Sequence, residues 1–220
     1  MSSVDDMLAV PLDLPRFEPD SWETFWKIWE EDAVRYVRLK PDAQGNNVDP
    51  GWDGFVWDFY RPEIKDTFTM YDVTVRDYSS VFPRWRASME SHLPFRIRRI
   101  LFLSNQRAIR PHRDGIILTD HLPYPAAFRI LLTDDNTVPT FWFSKERSVE
   151  SERFYMDLPP ETNTFVYNNP KIYHAADYHG KRKILMMPII DDIDEKKWFD
   201  ILYRSQDRWP ERTWIDDAKE

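Results

Sequence analysis

The chain has 220 residues, 42% of them hydrophobic and 15% aromatic, with a formal net charge of −8. That length and apolar content suit a single domain with a sizeable core and exclude a disordered chain. The acidic balance excludes an electrostatic nucleic-acid footprint, and the absence of cysteine excludes disulfides, thiolate metal sites and a cysteine nucleophile.

The first twenty residues, "MSSVDDMLAVPLDLPRFEPD", carry no basic region followed by an apolar run, so they do not read as a secretory signal. No stretch of the sequence is apolar enough to span a membrane. The expectation is a soluble cytoplasmic protein with neither a membrane nor a nucleic acid as partner. Seventeen prolines stand against five glycines, and neither GxGxxG nor GxxxxGK[ST] occurs, so a Gly-rich phosphate cradle is excluded.

Residues 1–19 read as an extended, proline-bearing lead-in. "DSWETFWKIWEEDAV" then has helical spacing, with Asp20 or Ser21 as cap and Trp22, Phe25, Trp26, Trp29 and Ala33 as a core-facing stripe. "AVRYVRLK" and "MYDVTVRDY" read as strands on either side of the loop-like "PDAQGNNVDPGWDG". "PRWRASMESHL" reads as a short helix closed by Pro94. From residue 96 the texture changes to short apolar or alternating runs, "RIRRILFLS", "AAFRILLT", "TFWFS", "RFYMDL", "NTFVYN", "IYHAADY" and "KRKILMMPII". Strands at this spacing predict an all-β sandwich or barrel rather than alternating βαβ units. "DEKKWFDILYRSQDRW" returns to helical spacing at Trp198, Ile201 and Leu202. The organisation expected is one domain over 1–220. An N-terminal helix and strand region (1–95) supports a β core (96–191), and a helical segment (192–220) closes the chain.

Five histidines are present. His92, His121 and His179 sit at a helix end or in polar loops, where a surface or packing role is the default. His112 differs, because "RPHRDG" places it two residues before Asp114 at a strand end. Residues i and i+2 of a strand project to one face, so the imidazole and the carboxylate can share a metal. His174, inside the aromatic strand "IYHAADY", can be brought opposite by antiparallel pairing. Two histidines and one carboxylate on one face of a metal leave the other face open, the geometry of non-haem Fe(II) oxygenases. Neutral imidazoles and an ionised carboxylate are required, so metal binding should weaken at acid pH. A 2-oxoglutarate-using site also needs a cation for the far carboxylate, and the planar fork of arginine suits it. Arg182 opens the apolar strand after His174, and Lys183 takes the role if the register is shifted by one. Arg129, flanked by apolar residues in "AFRILLT", is a second cation for a carboxylate of co-substrate or substrate; otherwise its stem covers apolar surface. Trp142 and Tyr173 are candidate pocket walls, although core packing is the default reading for each.

These pieces together resemble the aspartyl/asparaginyl β-hydroxylase family of the 2-oxoglutarate oxygenases, over roughly residues 97–191. The resemblance runs through Pro111-His112-Arg113-Asp114, then Arg129, then Phe165 and Asn168 leading to His174, then Arg182 and the strand up to Asp191. The sequence departs from the family pattern in four places, one of them the distance from the last arginine to the terminal Asp191, which is longer than in the family and leaves Arg182 or Lys183 open. "NQ" replaces a Pro-Gly before the metal histidine, Leu131 replaces a histidine, and "ILTDHLPYPAA" is inserted before Arg129. The resemblance implies a mainly β, double-stranded β-helix (jelly-roll, cupin-like) core with flanking helices. It also implies Fe(II) on His112, Asp114 and His174, with 2-oxoglutarate and O2 as co-substrates. The implied reaction hydroxylates an unactivated C–H of an amino acid, peptide side chain or small amino-acid-derived molecule, releasing succinate and CO2. The alternative is a catalytically silent or zinc-binding protein on the same β-helix.

Overall fold

The computed structural model describes residues 4–35, 37–38, 52–59, 71–105, 108–113, 127–133, 141–177 and 183–216. Within them, fifteen strands run in chain order. They are β1 (Met7–Pro11), β2 (Val34–Arg35), β3 (Val37–Arg38), β4 (Trp52–Asp58), β5 (Tyr71–Asp72), β6 (Val75–Arg76), β7 (Phe95–Asn105), β8 (Ile109–His112), β9 (Arg129–Thr133), β10 (Phe141–Ser144), β11 (Phe154–Tyr155), β12 (Thr164–Tyr167), β13 (Tyr173–Ala176), β14 (Lys183–Ile193) and β15 (Trp214–Ile215). Three helices, α1 (Trp22–Asp32), α2 (Pro83–His92) and α3 (Glu195–Arg208), complete a mainly β architecture. Among the described residues no helix is long and apolar enough to cross a membrane.

Each short run from residue 96 onward supplies a strand. The large sheet has the order β15-β1-β12-β9-β14-β7-β4-β2, with β6 also beside β4. A four-stranded sheet follows the order β11-β10-β13-β8, and β3 pairs β5 in a separate ribbon. Pairing is antiparallel throughout except for β4 with β6. The proline-bearing lead-in supplies β1, which is buried along its whole length between β12 and β15.

Side-chain alternation along the central strands sorts the two faces of the large sheet. Phe55, Trp57 and Phe102 point to the helices. Phe25 of α1 packs 5.8 Å from the Phe102 ring, and Trp85 of α2 lies 5.6 Å from Trp57. Trp198 of α3 meets Phe95 at 6.0 Å. In α1, Phe25 is fully buried, while Trp22, Trp26, Trp29 and Ala33 are half-buried against the same core. The opposite face carries Val56, Leu101, Leu103, Leu185, Met187 and Ile189.

Helix ends are fixed by side chains. Ser21 caps α1 by accepting from the Thr24 N–H at 3.2 Å, and Asp194 caps α3 by accepting from Lys197 at 3.0 Å. Asp20 serves a different helix. Its carboxylate accepts from the N–H groups of Arg84 (3.1 Å) and Trp85 (2.8 Å), so it caps α2 from sixty-odd residues away in sequence. Burial raises the Asp20 carboxyl, but these N–H groups and the Arg84 guanidinium outweigh it and leave the group below its ordinary value.

Candidate functional site

β8 and β13 pair so that His112 stands directly across from His174. Their rings lie 4.1 Å apart between centroids. His174 is only 5% exposed, and His112, at the end of an edge strand, is half-buried. The His112 Nδ1 lies 2.9 Å from the Arg110 carbonyl oxygen. A carbonyl only accepts, so Nδ1 donates in this contact, and in a neutral ring the lone pair is then on Nε2.

His174 is held by aromatic neighbours. Phe141 of β10 stacks nearly parallel to it at 6.4 Å, and the Tyr167 ring of β12 approaches to 4.7 Å. Phe143 and Tyr167 meet at 5.2 Å, so the small sheet packs on the large one through rings of β10 and β12. Strand alternation explains the set: Phe165 and Tyr167 share one face of β12, and Phe141 and Phe143 share one face of β10.

Arg129 opens β9 and is 2% exposed. Its Nη2 donates to the Tyr167 hydroxyl at 3.0 Å and its Nη1 donates to the Phe128 carbonyl at 3.0 Å. The guanidinium carbon also stands 5.3 Å from the centre of the Tyr167 ring. The buried guanidinium is thus held by the Tyr167 hydroxyl on one side and the Phe128 carbonyl on the other.

His112, Arg129, Tyr167 and His174 all line one small cavity between the sheets, with about 30 Å³ of space open to a water molecule. Its remaining lining is apolar: Leu103, Ile109, Phe141, Ala175, Leu185 and Met187. The polar groups are gathered on one side and face an aliphatic wall.

The structure thus brings together His112, His174 and Arg129. Asp114 and Arg182 lie outside the described residues, as do His121 and His179. Lys183 is the first residue of β14, paired with Thr133 of β9, and its side chain is likewise outside the description. Among the described residues no group of three histidines and acids stands close enough to hold a metal; His112 and His174 face each other, and Asp114 lies outside the described residues. Trp142 donates to Asp177 at 3.1 Å and carries the Arg153 guanidinium 4.3 Å from its ring. Tyr173 carries Arg113 in the same way at 4.3 Å. Neither lines the cavity. Arg113 is exposed and donates to the Lys171 carbonyl at 3.0 Å, so it occupies the face away from the histidines. His92 ends α2 exposed, with its Nδ1 2.9 Å from the Ser88 carbonyl.

Tyr167 is the residue the sequence reading passed over. Its signal was present, because it sits two positions after Phe165 in an alternating strand, but its contact with Arg129 depends on the pairing of β12 with β9. The sequence matches no protein-family profile and no curated protein.

Proposed function

We propose that the chain is an Fe(II)- and 2-oxoglutarate-dependent oxygenase acting on an amino acid, peptide side chain or small amino-acid-derived molecule. The observation that carries this reading is the direct register pairing of His112 with His174 at a cavity that also contains a buried arginine. In this reading His112 and His174 hold the iron through ring nitrogens, and Asp114 supplies the third ligand from its place two residues beyond His112. The tautomer set by the Arg110 carbonyl fits that role for His112. The metal with 2-oxoglutarate supplies the oxidising power needed to break an unactivated C–H bond.

The chain's own residues orient and shield. Arg129 receives a carboxylate, and Arg182 or Lys183 takes the far carboxylate of the co-substrate. The aliphatic wall of Leu103, Leu185 and Met187 excludes water from the reacting centre. Two antiparallel sheets facing each other across the cavity support a double-stranded β-helix as the core of this architecture.

Anaerobic titration with Fe(II) and 2-oxoglutarate tests the reading. The expected result is a weak visible absorption band in the wild type, lost in His174→Ala while the circular dichroism of the fold is retained. Succinate release in air, screened over amino acids and peptides, gives the substrate. Zinc binding with no response to 2-oxoglutarate would favour the metal-binding but catalytically silent alternative.

A further inference from the structure

The cavity contains one phenol, and it touches both halves of the polar cluster. Tyr167 accepts a hydrogen bond from Arg129 Nη2 at 3.0 Å, and the same ring lies tilted against His174, with 4.7 Å between centroids. The residue is 1% exposed. Its ring is held from behind by Phe143 at 5.2 Å, and its backbone is held by pairing with Ala9 of β1. A side chain fixed on three sides transmits its own position to whatever it touches.

The Tyr167 hydroxyl and ring act on Arg129 in two ways. The hydroxyl fixes one Nη, and the ring face lies 5.3 Å from the guanidinium carbon. A guanidinium bonded to a fixed oxygen at Nη2 and to the Phe128 carbonyl at Nη1 has a defined plane. A planar fork recognises a carboxylate best when that plane is set in advance, because less rotational freedom is lost on binding. Phenylalanine in the same place would fill the same volume and press on His174 equally, but would leave Nη2 without this anchor.

We propose that Tyr167 is a positioning residue, which sets the plane of the Arg129 guanidinium and fixes its distance from the histidine pair. The proposal rests on the oxygenase reading for the identity of the ligand, a 2-oxo acid carboxylate, but not for the coupling itself. It divides Tyr167 into two functions: the hydroxyl serves anion binding, and the ring serves His174.

Two variants separate these functions. Full-length wild type, Tyr167→Phe and Tyr167→Leu are titrated with Mn(II) by electron paramagnetic resonance, and then with 2-oxoglutarate on the Mn(II)-loaded proteins. Tyr167→Phe should retain the wild-type Mn(II) affinity and lose about tenfold or more in 2-oxoglutarate affinity, the consequence of removing one hydrogen bond to a charged group. Tyr167→Leu should lose both affinities. Unchanged 2-oxoglutarate affinity in Tyr167→Phe would overturn the proposal. If the wild type binds neither Mn(II) nor 2-oxoglutarate, the oxygenase reading fails, and the coupling is read from the nitrogen resonances of the Arg129 guanidinium. Resolved Nη signals in the wild type that coalesce in Tyr167→Phe support the positioning role, and identical spectra refute it.

Discussion

The two faces of the large sheet are built from the same strands and do opposite things. On the helix side, Phe55, Trp57 and Phe102 interlock with Phe25 and Trp85, ring on ring, with Phe55 and Phe102 stacked at 4.6 Å. On the cavity side, Leu103, Leu185 and Met187 line a space that is only partly filled, beside a buried arginine and two histidines. A protein interior is ordinarily close-packed, and a face that leaves room next to buried polar groups gives up packing contacts. The contrast locates close packing on one side of the sheet and the candidate site on the other.

Deletions of matched kind should expose this difference. Phe102→Ala should cost about 3–5 kcal/mol, because it opens a hole among rings that cannot collapse. Leu185→Ala, half-buried beside existing space, should cost about 1–2 kcal/mol. Urea denaturation of both variants measures the gap, and equal losses would erase the distinction between the faces.

The cavity-facing side has one tightly bound point of its own. Asp58 and Arg99, directly paired across β4 and β7, form an ion pair at 2.7 Å with both side chains buried. Asp58→Ala leaves the guanidinium buried without this carboxylate and should cost about 3–5 kcal/mol. Replacing both residues by apolar ones should recover much of that loss, which equilibrium unfolding of the double variant would show.

The smallest effect belongs to the helix side, at the cap of α2. Asp20→Ala should cost about 1 kcal/mol at neutral pH. The Asp20 carboxyl is held below its ordinary value, so its contribution is fully present above the unfolded-state value, near about 4. That contribution is lost as pH falls through the lower folded-state value. The difference in Tm between wild type and Asp20→Ala should therefore shrink as pH drops below about 4, and a constant difference would mean that the carboxylate charge is not what stabilises the helix.

What was legible in the sequence follows the same division. The helix side is local in character: stripes such as Trp198, Ile201 and Leu202, and caps at Ser21 and Asp194, are written within one helix length. The seven short runs from residue 96 onward were readable as strands because alternation is also local. Even the convergence of His112 with His174 could be anticipated, since a single antiparallel pairing suffices for it. The reading of residues 41–54 as a loop fails at its end, where residues 52–54 begin β4, a strand defined by its long pairing with β7; two further features also depend on pairing between distant segments. Asp20 looked like a cap for the helix that follows it, yet it serves α2. Tyr167 looked like one more core aromatic, and only the neighbouring of β12 and β9 together with the packing of one sheet on the other gives it Arg129 and His174 as partners.

The position of β1 has a consequence for how the molecule assembles. Tyr167 lies opposite Ala9, and Met7 of the same strand lies opposite Ile215. The strand carrying the phenol thus gains one of its two neighbours from a segment synthesised long before it, and that segment gains its other neighbour from residues synthesised long after. Contacts separated by so much chain are slow to form, because loop closure must be completed before pairing rewards it. During synthesis, residues 7–11 emerge as an apolar stretch before either strand that pairs with them in the fold. The cavity would then be among the last parts of the protein to take shape, and refolding from denaturant should show the helix-side tryptophans becoming buried before β12 is protected from hydrogen exchange.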